Sequence, residues 1–184
     1  DGPTPRAHAA ALLWPEVSEQ KARSNLRQRL FRLHRIAAHE LVRDAGALKL
    51  ADGLSVDLHD MPERLAGDAH ACSGSLLGSH DYGDQEELEQ WAVGARDRWR
   101  SALRERLAEL AAGLEQRARI VEALGYAQRL VAEDALHEHG HRRLMRLHYL
   151  RGDRAAALAA FERCRAVLQS ELGLQPGAET LQLA

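Results

Sequence analysis

The stretch SEQKARSNLRQRLFRLHRIAAH, from Ser18 to His39, decides the fold because it predicts an amphipathic helix with two faces of different character. Apolar residues recur in it at three- and four-residue intervals, so they line one side of an α-helix. These residues are Ala22, Leu26, Leu30, Leu33 and Ala37. We expect this stripe to face a hydrophobic core.

The opposite side of the same helix, projected at roughly 100° per residue, is basic and polar and carries hardly any acidic residue. It comprises Lys21, Ser24, Gln28, Arg32 and Arg35, with Arg27 and Phe31 at its margin. Lysine and arginine neutralise phosphates, whereas Gln28, Ser24 or an arginine can form hydrogen bonds to base edges. This face suits the major groove of DNA, although basic amphipathic helices are also common on solvated surfaces.

The residues before this helix predict a shorter one. Thr4 is a candidate N-cap, Pro5 fits the first turn, and Pro15 ends the helix. The apolar side of this helix consists of Ala9, Leu12 and Leu13. Since Ser18 can cap the helix that follows, the sequence predicts a helix, a tight turn and a basic helix.

The residues after the basic helix predict a β-hairpin. Leu41-Val42 and Leu48-Lys49-Leu50 flank Asp44-Ala45-Gly46, a turn-rich centre. A hairpin directly behind a recognition helix is the wing of a winged helix, and Arg43 or Lys49 could reach a neighbouring phosphate. A structural hairpin with incidental charges is the alternative.

From about Glu87 onward the chain predicts nearly continuous helix with short breaks. The first apolar face consists of Leu88, Trp91, Ala95, Trp99, Ala102 and Leu103. The breaks are expected near Ala112-Gly113, Ala135-Leu136, Gly152-Asp153 and Gly173. We interpret Trp91 and Trp99 as core anchors.

A repeat of tetratricopeptide length is visible in this helical part. Ala157 follows Ala123 by 34 residues, and Gly152 and Phe161 fall where that repeat has a turn glycine and an aromatic residue. We expect two or three repeat-like hairpins, each of which buries one face on its neighbour and leaves a surface for a protein segment.

Charge is distributed unevenly along the chain. The net charge of −2 would argue against a nucleic-acid partner if it were spread evenly, but the basic residues concentrate between Lys21 and Arg35. An acidic run lies elsewhere and comprises Asp81, Asp84, Glu86, Glu87 and Glu89. A local basic footprint therefore remains compatible with DNA.

The sequence offers little for catalysis or metal binding. It lacks a glycine-rich phosphate loop, a nucleophile elbow and paired carboxylates in a recognisable frame. His137 and His141 would share a helix face, but no HExxH register accompanies them. Cys72 and Cys164 form no CxxC pair, and we expect both to be reduced. We therefore predict no enzyme activity, no cofactor and no metal.

Several stretches resemble a known family. LLWPEVSEQKARSNLRQRLFRLHRIA resembles the second and third helices of the response-regulator-type winged helix in bacterial activators that carry a bacterial transcriptional activator domain. Later stretches resemble that domain in the family's order: Val56-Asp57-Leu58, Gly74-Ser75-Leu76-Leu77, Trp91, HRRLMRL at 141–147 and ELGLQP at 171–176. Because such winged helices begin with a small sheet and a first helix, we expect this chain to be a fragment.

The resemblance implies a mainly α protein: a partial winged helix, with helix-turn-helix and β-hairpin wing, over 1–58 and a tetratricopeptide-like activator domain over 59–184. It implies a cytoplasmic regulator that binds double-stranded DNA and activates transcription, with no membrane partner. The helical domain would serve homodimerisation or contact RNA polymerase or another protein. The predicted DNA-binding residues are Lys21, Ser24, Arg27, Gln28, Arg32, Arg35, Arg43 and Lys49. The alternative is a tetratricopeptide-like interaction scaffold of a signalling protein that does not itself read DNA.

Overall fold

The computed structural model describes residues 2–37, 39–54, 56, 58–78, 82–83 and 85–184. Asp57, Asp81 and Asp84, which enter the sequence analysis, lie outside the described residues. The helices are α1 (Arg6–Leu13), α2 (Glu19–Ala37), α3 (Met61–Gly67), α4 (Glu86–Gln116), α5 (Ile120–Glu133), α6 (Glu138–Leu150), α7 (Arg154–Leu172) and α8 (Ala178–Leu183). The strands are β1 (Thr4–Pro5), β2 (Val42–Asp44) and β3 (Ala47–Leu50). The predicted mainly α class with a partial winged helix is confirmed.

The chain divides into two compact units. The winged-helix unit comprises Asp1–His59 and Ser75–Arg96, and the helical unit comprises Asp60–Gly74 and Asp97–Ala184. The division falls within α4. The boundary that the sequence predicts after residue 58 stays a prediction.

Two helices and a hairpin build the winged-helix unit. Strands β2 and β3 are antiparallel, and Gly46 in their turn has φ +87°, a conformation that favours glycine. Strand β1 adds a third strand, since Thr4 pairs with Leu48. The prediction that Thr4 caps α1 is therefore wrong: Thr4 is sheet, and Pro5 occupies the cap position without a side-chain hydrogen bond.

The core of this unit is small. Ala10 of α1 packs with Ala22 and Leu26 of α2, and half-buried Leu30 and Leu48 lie against them. The predicted apolar stripe is buried only in its first half, because Leu33 is 38% exposed.

The helical unit is built from helices joined by short turns. The break predicted at Ala112-Gly113 is wrong, since α4 continues to Gln116 and the chain turns at 117–119, where Ala118 has φ +58°. The other three predicted breaks are confirmed, and Gly173 ends α7 in the left-handed conformation. Helix α6 packs against both α5 and α7.

Two buried clusters fill this unit. Helices α3, α4 and α5 contribute Met61, Leu65, Leu103, Leu107, Ala111, Tyr126 and Leu130 to the first. Helices α5, α6 and α7 contribute Ala123, Leu124, Ala127, Leu144, Met145, Leu147 and Ala160 to the second. The Tyr126 hydroxyl donates to the Leu65 carbonyl over 2.6 Å. This hydrogen bond joins α5 to α3, a helix that the sequence pattern does not predict.

Some residues predicted to lie in the core of the helical part are exposed or only half-buried in the structure. Trp91 is 41% exposed and the neighbouring Ala92 is buried instead, whereas Ala95 and Leu103 are buried as predicted. Ala102 is exposed, and Ala157 is half-buried while Ala160 is the fully buried small residue of α7. Trp99 packs partly buried against the first cluster, as predicted.

Gly140 lets α5 and α6 approach closely. A Cβ atom there would lie 3.0 Å from the Val131 side chain and 3.5 Å from that of Leu130. Among the described residues, no helix combines the length and apolarity that a membrane span requires.

Candidate functional site

The polar face of α2 is the first feature of the site. The six DNA-binding residues predicted on α2, which lie on this face or at its margin, are all exposed: Lys21, Ser24, Arg27, Gln28, Arg32 and Arg35. Ala22 and Leu26, on the other side of the helix, are buried. Burial of the short apolar side thus orients α2 and presents its basic side outward.

The cations on this face are largely uncompensated. Within the described part of the chain, no ion pair joins Lys21, Arg27, Arg32 or Arg35 to an acid. The exception on α2 is Arg23, whose guanidinium pairs with Glu19 one turn earlier. These free cations leave the face with a concentrated positive charge, which attracts anions at low salt.

Arg27 also borders a cleft of about 560 Å³ at one end of the hairpin. Pro5, Arg6, Ala7, Arg23, Arg27, Asp44 and Gly46 line it. Arg6 pairs with Asp44 and Arg23 pairs with Glu19, so Arg27 is the cleft guanidinium group without an acidic partner among the described residues. The sequence pattern does not predict Arg6 and Arg23 at this cleft, because their convergence depends on how α1 packs against α2 and the hairpin.

The hairpin brings its two predicted cations together. Arg43 and Lys49 are direct cross-strand partners, so their side chains share one face of the hairpin. Asp52 pairs with Arg43 and also lies 3.7 Å from the Lys49 Nζ, while Glu40 lies 3.6 Å from Arg43. Two cations thus meet two carboxylates. The wing is much closer to electrical neutrality than α2.

A histidine connects α2 to the hairpin. The Nε2 of His34 donates to the Val42 carbonyl over 3.1 Å. This bond joins the last turns of α2 to the first residue of β2. It supports the position of the wing beside the basic helix.

His139 and His141 of the helical unit are half-buried and buried, respectively. His141 is 2% exposed, and its Nε2 donates to the Ala135 carbonyl over 2.9 Å. Burial lowers the pKa of His139, and the neighbouring Arg143 lowers it further. No group of three metal-ligating side chains lies together in the part of the chain that the structure describes.

The helical unit carries a separate apolar groove of about 370 Å³ between α6, α7 and α8. Met145, Arg146, Tyr149, Arg154, Ala157, Leu158, Leu183 and Ala184 line it. Tyr149 and Leu158 are more than half exposed. The groove is therefore a mostly apolar surface whose lining also includes two arginines.

Comparison with known proteins relates the chain to one family and to a solved structure. The model of the bacterial transcriptional activator domain family matches residues 73–184. The structure of Mycobacterium tuberculosis EmbR in complex with a low-affinity phosphopeptide is similar at 20% identity and a TM-score of 0.58. The alignment covers all of this chain and 54% of that one, so the chain spans about half the length of the EmbR chain. No curated protein sequence matches.

Proposed function

The chain belongs to the bacterial transcriptional activator domain family, a family of transcriptional regulators, and from this membership we propose that it binds double-stranded DNA through its winged-helix unit. In this proposal the protein is a non-enzymatic, cytoplasmic regulator that activates transcription. The observation that carries it is the exposed face of α2, where four cations have no acidic partner among the described residues.

The residues of this face divide into two roles. Arg27, Arg32 and Arg35 hold the phosphate backbone, because a guanidinium can neutralise a phosphate regardless of sequence. Ser24 and Gln28 are candidates for base-edge contacts, since glutamine can bond adenine through two atoms. Both lie on the exposed side of α2, beside these arginines.

Lys21 and the cleft that Arg27 borders would add further phosphate contacts to those of the α2 arginines. Lys21, at the start of α2, is exposed and would contact a phosphate. In the cleft, Arg27 would hold another, beside Arg6 and Arg23, whose charges Asp44 and Glu19 already offset. Arg43 and Lys49 of the wing would contribute less, since Asp52 and Glu40 already offset their charge.

The helical unit supplies protein contacts in this proposal. Its groove between α6 and α8 exposes Tyr149 and Leu158, the kind of apolar surface that protein segments bind. A second copy of the chain or RNA polymerase would be a partner. A shift of mass in sedimentation with increasing concentration would support the homodimer.

The test is selection from a randomised duplex pool over a salt series, with the protein at its full encoded length. Gln28→Ala should change the selected sequence, whereas Arg35→Ala should weaken all sequences and reduce the salt slope by about 1. Arg98→Ala is the matched control, since Arg98 is also exposed on a helix but lies outside this face. It should leave both properties unchanged.

Two outcomes would contradict the proposal. Weak binding that enriches no sequence would favour the tetratricopeptide-like interaction scaffold that does not read DNA. Equal losses for Gln28→Ala and Arg35→Ala on selected and random duplexes would refute the division between base and backbone contacts.

A further inference from the structure

One aromatic side chain on α2 does not fit the division of that helix into an apolar and a basic side. Phe31 is 63% exposed. On a helix its neighbours are the residues three and four positions away, which here include Arg27, Gln28 and Arg35. An exposed phenyl ring thus stands among the cations and the amide of the proposed DNA-binding face.

The position of Phe31 excludes a role in the apolar stripe. At roughly 100° per residue, Phe31 lies about 140° from the buried Leu26, whereas Leu33 lies only about 20° from it. Ile36, which is 84% exposed, lies on the opposite flank at about 80° from Leu26. Phe31 therefore lies on a different side of α2 from both Leu33 and Ile36.

We propose that Phe31 is a specificity-determining residue that packs its ring against the C5-methyl group of a thymine in the major groove. This inference rests on the proposed function. The phenyl ring carries no hydrogen-bond donor or acceptor, so the base-edge group that it can recognise is the methyl of thymine. When the flanking arginines engage phosphates, the ring is held against the floor of the groove and its apolar surface is removed from water.

Replacement of thymine by deoxyuracil tests this contact because it deletes the methyl group alone. A selected duplex is resynthesised with one uracil at a time, and binding is measured for the wild type and for Phe31→Ala. At one position, uracil should weaken wild-type binding about threefold to fourfold, the effect of exposing one methyl group. The same uracil should not weaken binding of Phe31→Ala.

Ile36→Ala is the matched control, because it also removes an exposed apolar side chain from α2 but on the other flank. It should retain the full wild-type response to uracil. Phe31→Leu should retain part of that response, since a leucine side chain still buries a methyl group. Circular dichroism of each variant would verify that the helix content is unchanged.

The outcomes separate this inference from the function on which it rests. If the protein selects a sequence but no thymine responds to uracil, or if Phe31→Ala responds as the wild type does, the methyl contact is refuted and DNA binding stands. If the protein selects no DNA sequence, both the proposed function and the methyl contact are refuted.

Discussion

The two units use arginine in opposite ways. In the helical unit, arginines bridge neighbouring helices: Arg104 pairs with Asp134, and Glu115 accepts from both Arg143 and Arg146 at 3.1 and 2.6 Å. On α2 of the winged-helix unit, by contrast, Arg27, Arg32 and Arg35 have no acidic partner among the described residues. Paired cations hold helices in place, whereas unpaired cations remain available for an anionic ligand.

The hydrophobic cores of the two units also differ, in how completely their residues are buried. In the helical unit, Leu65, Leu107 and Leu147 are completely inaccessible to water. In the winged-helix unit, Ala10, Ala22 and Leu26 form the buried cluster, beside an open and largely apolar groove of about 660 Å³. The helical unit therefore carries most of the hydrophobic stabilisation, whereas the winged-helix unit carries the cations of α2 that have no acidic partner among the described residues.

The largest effect expected from this contrast concerns the second cluster of the helical unit. Leu147→Ala should reduce the free energy of unfolding by about 2–5 kcal/mol, because it removes a fully buried leucine and leaves a cavity. Urea unfolding followed by circular dichroism measures it. Leu158→Ala, at a position 55% exposed, is the control and should change the free energy by less than about 0.5 kcal/mol. Equal effects of the two variants would contradict the assignment of stability to this cluster.

A smaller effect separates the basic helix from the wing. Arg32→Ala should weaken DNA binding about tenfold, because Arg32 would meet a phosphate without giving up a protein partner. Arg43→Ala should weaken it less than about threefold, because Arg43 must first leave Asp52 and Glu40. Fluorescence anisotropy on one selected duplex compares the two.

The variant Asp52→Asn sharpens this test. It frees Arg43 and Lys49 from their shared carboxylate and should strengthen DNA binding, with a steeper dependence on salt. If Arg43→Ala weakens binding as much as Arg32→Ala does, the difference between wing and helix is wrong.

Local sequence signals were sufficient to predict both α2 and the hairpin. The three- and four-residue spacing of apolar residues predicted α2, and the turn residues around Gly46 predicted the hairpin. The glycine at Gly173 likewise predicted the end of α7. The identity of the exposed residues on α2 also followed from helical projection. Their contacts with DNA stay predictions.

Other features depended on partners distant in the sequence. Strand β1 exists because Thr4 meets Leu48 of the hairpin, and no local signal announces this pairing. Gly113 failed to end α4, since one glycine in a helix interior costs only about 1 kcal/mol, which packing of Ala111 and Leu107 offsets. The carboxylates that offset the wing charge were visible in the sequence, but their approach to Arg43 required the folded hairpin.

The smallest expected effect concerns pH and is confined to the helical unit. Burial lowers the pKa of His148 from its ordinary value of 6.5, Arg151 and Arg163 lower it as well, and Asp153 opposes them. Its buried Nδ1 has no hydrogen-bond partner among the described residues, so a protonated ring would leave an N–H unsatisfied.

Because the folded state resists protonation of His148, the unfolded state binds more protons as the pH falls below 6.5, and the free energy of unfolding should decrease there. Urea unfolding at about pH 7.5 and about pH 5.5 should show a smaller decrease for His148→Gln than for the wild type. His8→Gln, which changes an exposed histidine of the winged-helix unit, should keep the wild-type decrease. If His148→Gln shows the same decrease in the free energy of unfolding as the wild type, groups other than His148 cause the pH dependence. His148 would then contribute to the helical unit through its packing and not through its protonation.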